Sequence, residues 1–171
     1  AEKQIGELLQ TAKKSLDLSV AFLSRLDGTT QHLEVVESSI PFLFKDGITQ
    51  RQDNTFCQAI LDGKLPAVIP DVKAYPEAMK LPTAKIPRIR SYVSTPVVLS
   101  DGSLYGTFCA FVLTSDKELG KRDKSLMDVL TSAAAVIIEP EVRSQERRRE
   151  ISGRLDRLMA AGGPLVVLSP S

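Results

Sequence analysis

Arg90-Ser-Tyr-Val-Ser-Thr-Pro-Val-Val-Leu-Ser-Asp-Gly-Ser-Leu-Tyr-Gly-Thr-Phe-Cys-Ala-Phe-Val112 is the stretch that decides the fold. It reads as two strands joined at Ser100-Asp101-Gly102-Ser103. Tyr92, Ser94, Pro96 and Val98 recur at every second residue and so share one face; Leu104, Gly106 and Phe108 alternate in the same way. Asp101-Gly102 suits the turn, because glycine accepts positive φ at little cost. Pro96 has no N–H to give to a ladder, which places it at an edge, a bulge or a strand end.

Working outward, Glu2–Leu16 carries Ile5, Leu8, Leu9, Ala12 and Leu16 at helical spacing, with lysines opposite. Leu18–Leu26 and Gln31–Ser38 form a second hairpin around Asp27-Gly28, with Leu33 and Val35 alternating against His32 and Glu34. Phe42–Gln50 is a connection that turns at Lys45-Asp46-Gly47. Asp53-Asn54-Thr55 offers N-caps for a short helix over 56–61, and Gly63 stops it. Leu65–Ile69 is a short strand. Residues 72–89 are proline-rich and read as a lid-like loop with one turn of helix, the kind of irregular segment that is often functional.

Lys117–Ile138 reads as a long helix, which Pro140 either kinks or follows with a new helix. Leu126, Leu130, Ala133 and Ile137 form its apolar seam. A seven-residue series, Leu130, Ile137, Ser144, Ile151 and Leu158, favours helix packing between chains, so this seam is the candidate homodimer contact. Beyond Pro140 six arginines face four acids, which describes a solvated helical face rather than a nucleic-acid footprint.

Bulk numbers bound the function. The 171 residues suffice for one domain and a tail, and 22 basic against 21 acidic side chains give a net charge of +1. That balance predicts no general attraction to nucleic acid or to anionic lipid. Two cysteines make neither a disulfide framework nor a metal-ligand pair by spacing, and one histidine excludes a multi-histidine metal site. The polar N-terminus shows no signal peptide, and the longest apolar tract, 132–138, is short of the roughly 20 residues that cross a bilayer. A cytoplasmic, reducing compartment is the expectation.

The element order, together with Asp-x-Thr-Phe-Cys-x-x-Ile-Leu-x-Gly-x-Leu-Pro-x-Val-Ile-Pro-Asp over Asp53–Asp71 and the Tyr-Val-Ser-Thr-Pro and Tyr-Gly-Thr-Phe-Cys segments, resembles the GAF domains found ahead of bacterial signalling output domains. The tail Ile151–Pro170 resembles the opening of an EAL domain, the cyclic di-GMP phosphodiesterase fold, although Ser169-Pro170-Ser171 stands where Gln-Pro-Ile is expected and no Glu-Ala-Leu motif is present.

The resemblance implies an α+β fold: a central antiparallel sheet of five or six strands, helices 2–16 and 117–138 on one face, and a small-ligand cavity on the other under helix 51–62 and loop 70–90. It implies a sensor domain over 1–138, a helical signalling linker over 139–162 and the possible start of an output domain over 163–171. The chain itself is then no enzyme. It is a regulatory and homodimerising module linked to a C-terminal output domain of cyclic di-GMP turnover.

Asp71, Tyr75, Tyr92, Ser94 and Cys57 are the candidate ligand-binding residues, polar groups on an apolar wall. The plainer alternative is that Asp71 caps a turn and the tyrosines pack with wet hydroxyls. Cys57 and Cys109 are the redox candidates; free cysteines are ordinarily small buried hydrophobes, and that reading takes precedence. Neither cysteine is followed by histidine, so bilin attachment is not expected and the cofactor is left unknown. The cysteine cluster of free methionine sulfoxide reductases and the Asn-Lys-x(n)-Phe-x(3)-Asp-Glu motif of cyclic-nucleotide-binding GAF domains are absent. His32 reads as a surface histidine, and Lys85, Arg88 and Arg90 as a small basic cluster beside the lid. A cysteine-based switch or redox enzyme, and a ligand-free dimerisation module, are the alternative functions.

Overall fold

The computed structural model describes residues 1–40, 45–82, 89–113 and 118–161. The chain divides into two compact units, residues 1–137 and 138–171. The first is built on a six-stranded antiparallel sheet ordered β3-β2-β1-β6-β5-β4. Its strands are β1 (Val20–Leu26), β2 (Thr30–Ser38), β3 (Thr49–Arg51), β4 (Val68–Ile69), β5 (Ile89–Val98) and β6 (Leu104–Leu113). The helices are α1 (Glu2–Ser15), α2 (Phe56–Leu61), α3 (Pro76–Met79) and α4 (Lys121–Ala160).

Both hairpins form where Asp-Gly predicts them. Gly28 and Gly102 take φ of 100° and 85° at the two turns. Pro96 lies opposite Thr107 of β6. Ser94 gives its N–H to Ala67 O on the other side, so the imide of Pro96, two residues on, faces past the end of β4, where no donor is needed.

Three features depart from the sequence reading. β3 is an added edge strand within the predicted connection. β4 spans two residues rather than five. Pro140 lies inside a continuous 40-residue helix, which begins at Lys121 rather than at Lys117. Helical φ/ψ already suit proline's fixed φ, so the cost is a missing hydrogen bond and a local bend rather than a stop. The 163–171 segment, with its predicted strand and EAL-like ending, lies outside the described residues, as do Lys85 and Arg88.

Strand alternation breaks once in β2. Leu23 pairs with Val35 but the next residue, Ser24, pairs with Leu33, leaving Glu34 as an extra residue. Leu33 and Val35, predicted to share a face, therefore lie on opposite faces. Across the same point β6 presents Gly106, where a Cβ would stand 1.8 Å from the carbonyl oxygen of Ser24. Only glycine lets β1 and β6 approach that closely there.

The bulge leaves two distinct faces. Ala21, Leu23, Val93, Thr95, Val97, Phe108 and Ala110 form one. It is covered by Ile5, Leu9 and Ala12 of α1 and by Met127, Leu130 and Ala134 of α4, all buried. The hydroxyls of Thr95 and Thr131 meet there. The other face carries Val20, Phe22, Leu33, Tyr92, Cys109 and Phe111, closed over by Phe56, Cys57, Val72 and Ala78. Leu130 of the predicted seam thus faces its own core, while Leu126, Ala133 and Ile137 are half-buried.

Candidate functional site

The α2-side face is filled by its own side chains. Tyr92 stacks between Phe56, at 4.8 Å between ring centroids, and Phe111, at 6.0 Å; Phe22 meets Phe111 edge-on at 6.4 Å. Such pairs contribute about 0.5–1.5 kcal/mol each beyond their buried area. At the centre of this packing two sulfurs meet. Cys57 Sγ lies 3.1 Å from Cys109 Sγ, and both residues are at most 1% exposed.

Local structure explains the meeting. Thr55 caps α2 by accepting the Gln58 N–H at 3.1 Å, which turns Cys57 towards the sheet. Alternation in β6 puts Cys109 on the same face as Phe111, opposite Phe22 of β1 and Ser94 of β5. Two strands and one helix thereby converge on one point.

Five polar side chains, Gln31, Ser24, Thr107, Tyr92 and Ser94, surround the pair directly or through one another. Gln31 Nε2 donates to Cys57 Sγ at 3.1 Å and to Ser24 Oγ at 3.1 Å. Its Oε1 accepts from Gln50. Ser24 and Thr107 hydroxyls are 2.6 Å apart. Tyr92 Oη is 3.1 Å from Cys57 Sγ, and Ser94 Oγ is 3.3 Å from Cys109 Sγ. Burial pushes the Cys57 thiol up, but hydrogen bonds from Cys109, Thr107, Tyr92 and Gln31 outweigh it and bring the thiol down to about 6. Burial and the neighbouring Cys57 push Cys109 well above its ordinary value. The pair titrates as a unit in which Cys57 loses its proton first and Cys109 keeps one. Tyr92 stays a neutral donor, its phenol raised first by burial and then by the two cysteines.

Of the predicted ligand-binding residues, the structure brings Cys57, Tyr92 and Ser94 together and leaves Asp71 and Tyr75 apart. Asp71 caps the 3-10 turn Val72–Ala74 through the Lys73 N–H and pairs with Arg90 at 2.5 Å. Arg90, beside it, holds its carboxyl below the usual range. Tyr75 is half-buried against the apolar cluster where that turn meets α3. Gln31, Ser24 and Thr107 were not singled out in the sequence; inward positions on predicted strands are the signal that could have found them. His32 bonds Asp27 at 2.8 Å in the first hairpin turn.

A second constellation joins the lid to α4. Arg90 reaches Asp71 on one side and Glu118 at 2.9 Å on the other. Its neighbour Ser91 donates its hydroxyl to Ile69 O at 2.9 Å and accepts the Leu119 N–H at 2.9 Å. Adjacent β5 residues thus bridge the same two segments, the end of β4 and the approach to α4. An open groove of about 440 Å³ lies elsewhere, between α1 and β2, lined by Gly6, Glu7, Val36 and Glu37 among others. Among the described residues no cluster of three metal-ligating side chains occurs, and no helix is long and apolar enough to cross a membrane.

Comparison with known proteins follows the fold. The GAF domain family profile matches residues 5–139. The diguanylate cyclase DgcP of Escherichia coli K12 is 22% identical over 151 residues, which cover 86% of this chain and 42% of that protein. The chain therefore spans less than half of the curated relative it matches. The blue-light absorbing form of the Thermosynechococcus elongatus PixJ GAF domain superposes with a TM-score of 0.66 at 12% identity, covering 89% of this chain and 92% of that one. A type II free methionine-R-sulfoxide reductase from Thermoplasma acidophilum superposes at 0.63 and 17% identity, covering 81% and 92%.

Proposed function

The chain belongs to the GAF domain family, whose members are sensory modules, and on that premise we propose that it regulates a signalling output of cyclic di-GMP turnover. The observation that carries this is the double bridge at Arg90 and Ser91. A change at the lid reaches Asp71 and Ile69 first. Through one guanidinium and one hydroxyl it is felt at Glu118 and Leu119, immediately before a 40-residue helix. A helix is the stiffest element a chain has for passing a rotation or a shift along its length.

The output is inferred from two hints that share a second messenger. DgcP is by name a diguanylate cyclase, and the tail resembles the start of a phosphodiesterase. The bridge supports a regulatory role that serves synthesis and breakdown of the messenger equally.

The test uses the full-length gene product. Cyclic di-GMP made from GTP, or consumed, is measured for the parent, for a version lacking residues 1–138 and for Arg90→Ala. Loss of the domain is expected to change the rate several-fold, and Arg90→Ala to move it part of the way. Equal rates in all three sink the reading.

A second reading, homodimerisation through α4, draws on apolar residues left exposed there. Val129 and Val136 are 65% and 75% exposed and seven residues apart, flanked by half-buried Leu126 and Ala133. Sedimentation of Val129→Glu/Val136→Glu checks it, since neither residue is in the core; a parent that sediments as a monomer ends it.

A further inference from the structure

Transmission through Arg90 and Ser91 leaves one chemically capable group unused. Cys57 and Cys109 stand 52 positions apart in sequence and on separate elements, yet their sulfurs are 3.1 Å apart. A pair that only filled volume would need no donors around it. Here Gln31 Nε2 and Tyr92 Oη address Cys57 and Ser94 Oγ addresses Cys109, so the site is arranged to hold charge on one sulfur while the other keeps its proton.

We infer that Cys57 and Cys109 form a reversible intrachain dithiol–disulfide site whose oxidant is a small neutral hydroperoxide. The Cys57 thiolate attacks one peroxide oxygen and the O–O bond breaks. That oxygen stays on Cys57 as a sulfenic acid, and the other leaves as hydroxide, which a proton converts to water. Cys109 then gives up its proton, its sulfur attacks Cys57 Sγ, the S–O bond breaks, and the departing oxygen leaves as water. Two thiols lose two electrons and two protons; hydrogen peroxide accepts them and becomes two waters.

Both sulfurs are buried, so the oxidant must be small and the cover must open. α2 is a six-residue helix, a unit short enough to open locally without global unfolding. Once formed, the bond fixes α2 to β6 and ends the role of Cys57 as an acceptor for Tyr92 and Gln31. The inference stands whether or not cyclic di-GMP is the output.

The experiment titrates the reduced chain with hydrogen peroxide and reads intact mass, non-reducing peptide maps and free-thiol count. A mass lower by two hydrogens, a peptide joining Cys57 to Cys109 and full reversal by a thiol reductant are expected. Cys109→Ser should instead trap one oxygen on Cys57, detectable with a sulfenic-acid reagent. Cys57→Ser should leave Cys109 reduced, losing thiol at least about tenfold more slowly than the parent. Should either variant fail to fold, the parent's peptide map decides alone. A folded parent that keeps both thiols under excess peroxide, or that links only between chains, overturns the inference, as does equal oxidation of Cys57→Ser.

Discussion

The two faces of the sheet are covered to similar completeness by unlike chemistry. Against α1 and α4 the buried contacts among the described residues are mostly apolar, with the meeting of Thr95 and Thr131 and the hydroxyl of Ser91 as polar exceptions. Against α2 the cover closes on two sulfurs, two hydroxyls from β1 and β6, a third from β5, an amide and a phenol. Apolar packing is non-directional and has one favourable state. A buried hydrogen-bond network is directional, and its balance changes when one member gains or loses a proton or a bond. The first face is suited to holding the fold, and the second to having more than one state.

Substitutions can break that comparison. Phe108 is fully buried on the apolar face, and Phe108→Ala should cost about 3–5 kcal/mol in urea unfolding. Gln31→Ala, on the network face, strips donors from Cys57 and Ser24 and should cost about 1–3 kcal/mol. If Gln31→Ala costs as much as Phe108→Ala, the division of labour fails.

Tyr92→Phe keeps the ring stack and removes one donor, a loss of about 1 kcal/mol. Its sharper effect is on pH. Folded Cys57 sits at about 6 against an ordinary 9.0, so between those values the unfolded chain binds a proton that the folded chain has lost. Stability from Cys57 is complete above the upper value and is lost as pH falls through the lower. Tyr92→Phe should raise the lower edge of that window, read as a later rise in thiolate ultraviolet absorbance; an unmoved midpoint would detach Tyr92 from the sulfur. The smallest effect is at the hairpin turn. His32, followed by the Thr30 and Thr29 N–H groups, holds the Asp27 carboxyl well below the usual range. His32→Ala should move the Asp27 titration upward by NMR while leaving the thiol absorbance alone.

Local signals made much of the fold legible. Asp27-Gly28 and Asp101-Gly102 fixed two hairpins, and 3.6-residue spacing fixed α1 and the first half of α4. The dimer seam was partly core, because one apolar stripe on a helix has the same period whether it meets its own sheet or another chain; Leu130 is the case in point. Cys57, Tyr92 and Ser94 could be nominated singly, yet nothing local in the chain states that Cys57 and Cys109 touch. That contact depends on how α2 docks across three strands. Gln31 shares its strand parity with Leu33, but a lone glutamine at an inward position does not state its partner; the docking of α2 supplies Cys57.

That extra position has a consequence for how the chain tolerates change in length. Glu34 is itself only half-buried and bonds Arg25 at 2.8 Å, so substituting it touches little. With one residue fewer, Leu33 and Val35 would be consecutive opposite Ser24 and Leu23, so the bulge would close into a regular ladder with Gln31 still opposite Leu26 on the Cys57 side. The bulge absorbs Glu34 and so keeps the amide in phase with the sulfurs; regular pairing with Glu34 retained is what would turn Gln31 to the α1 side.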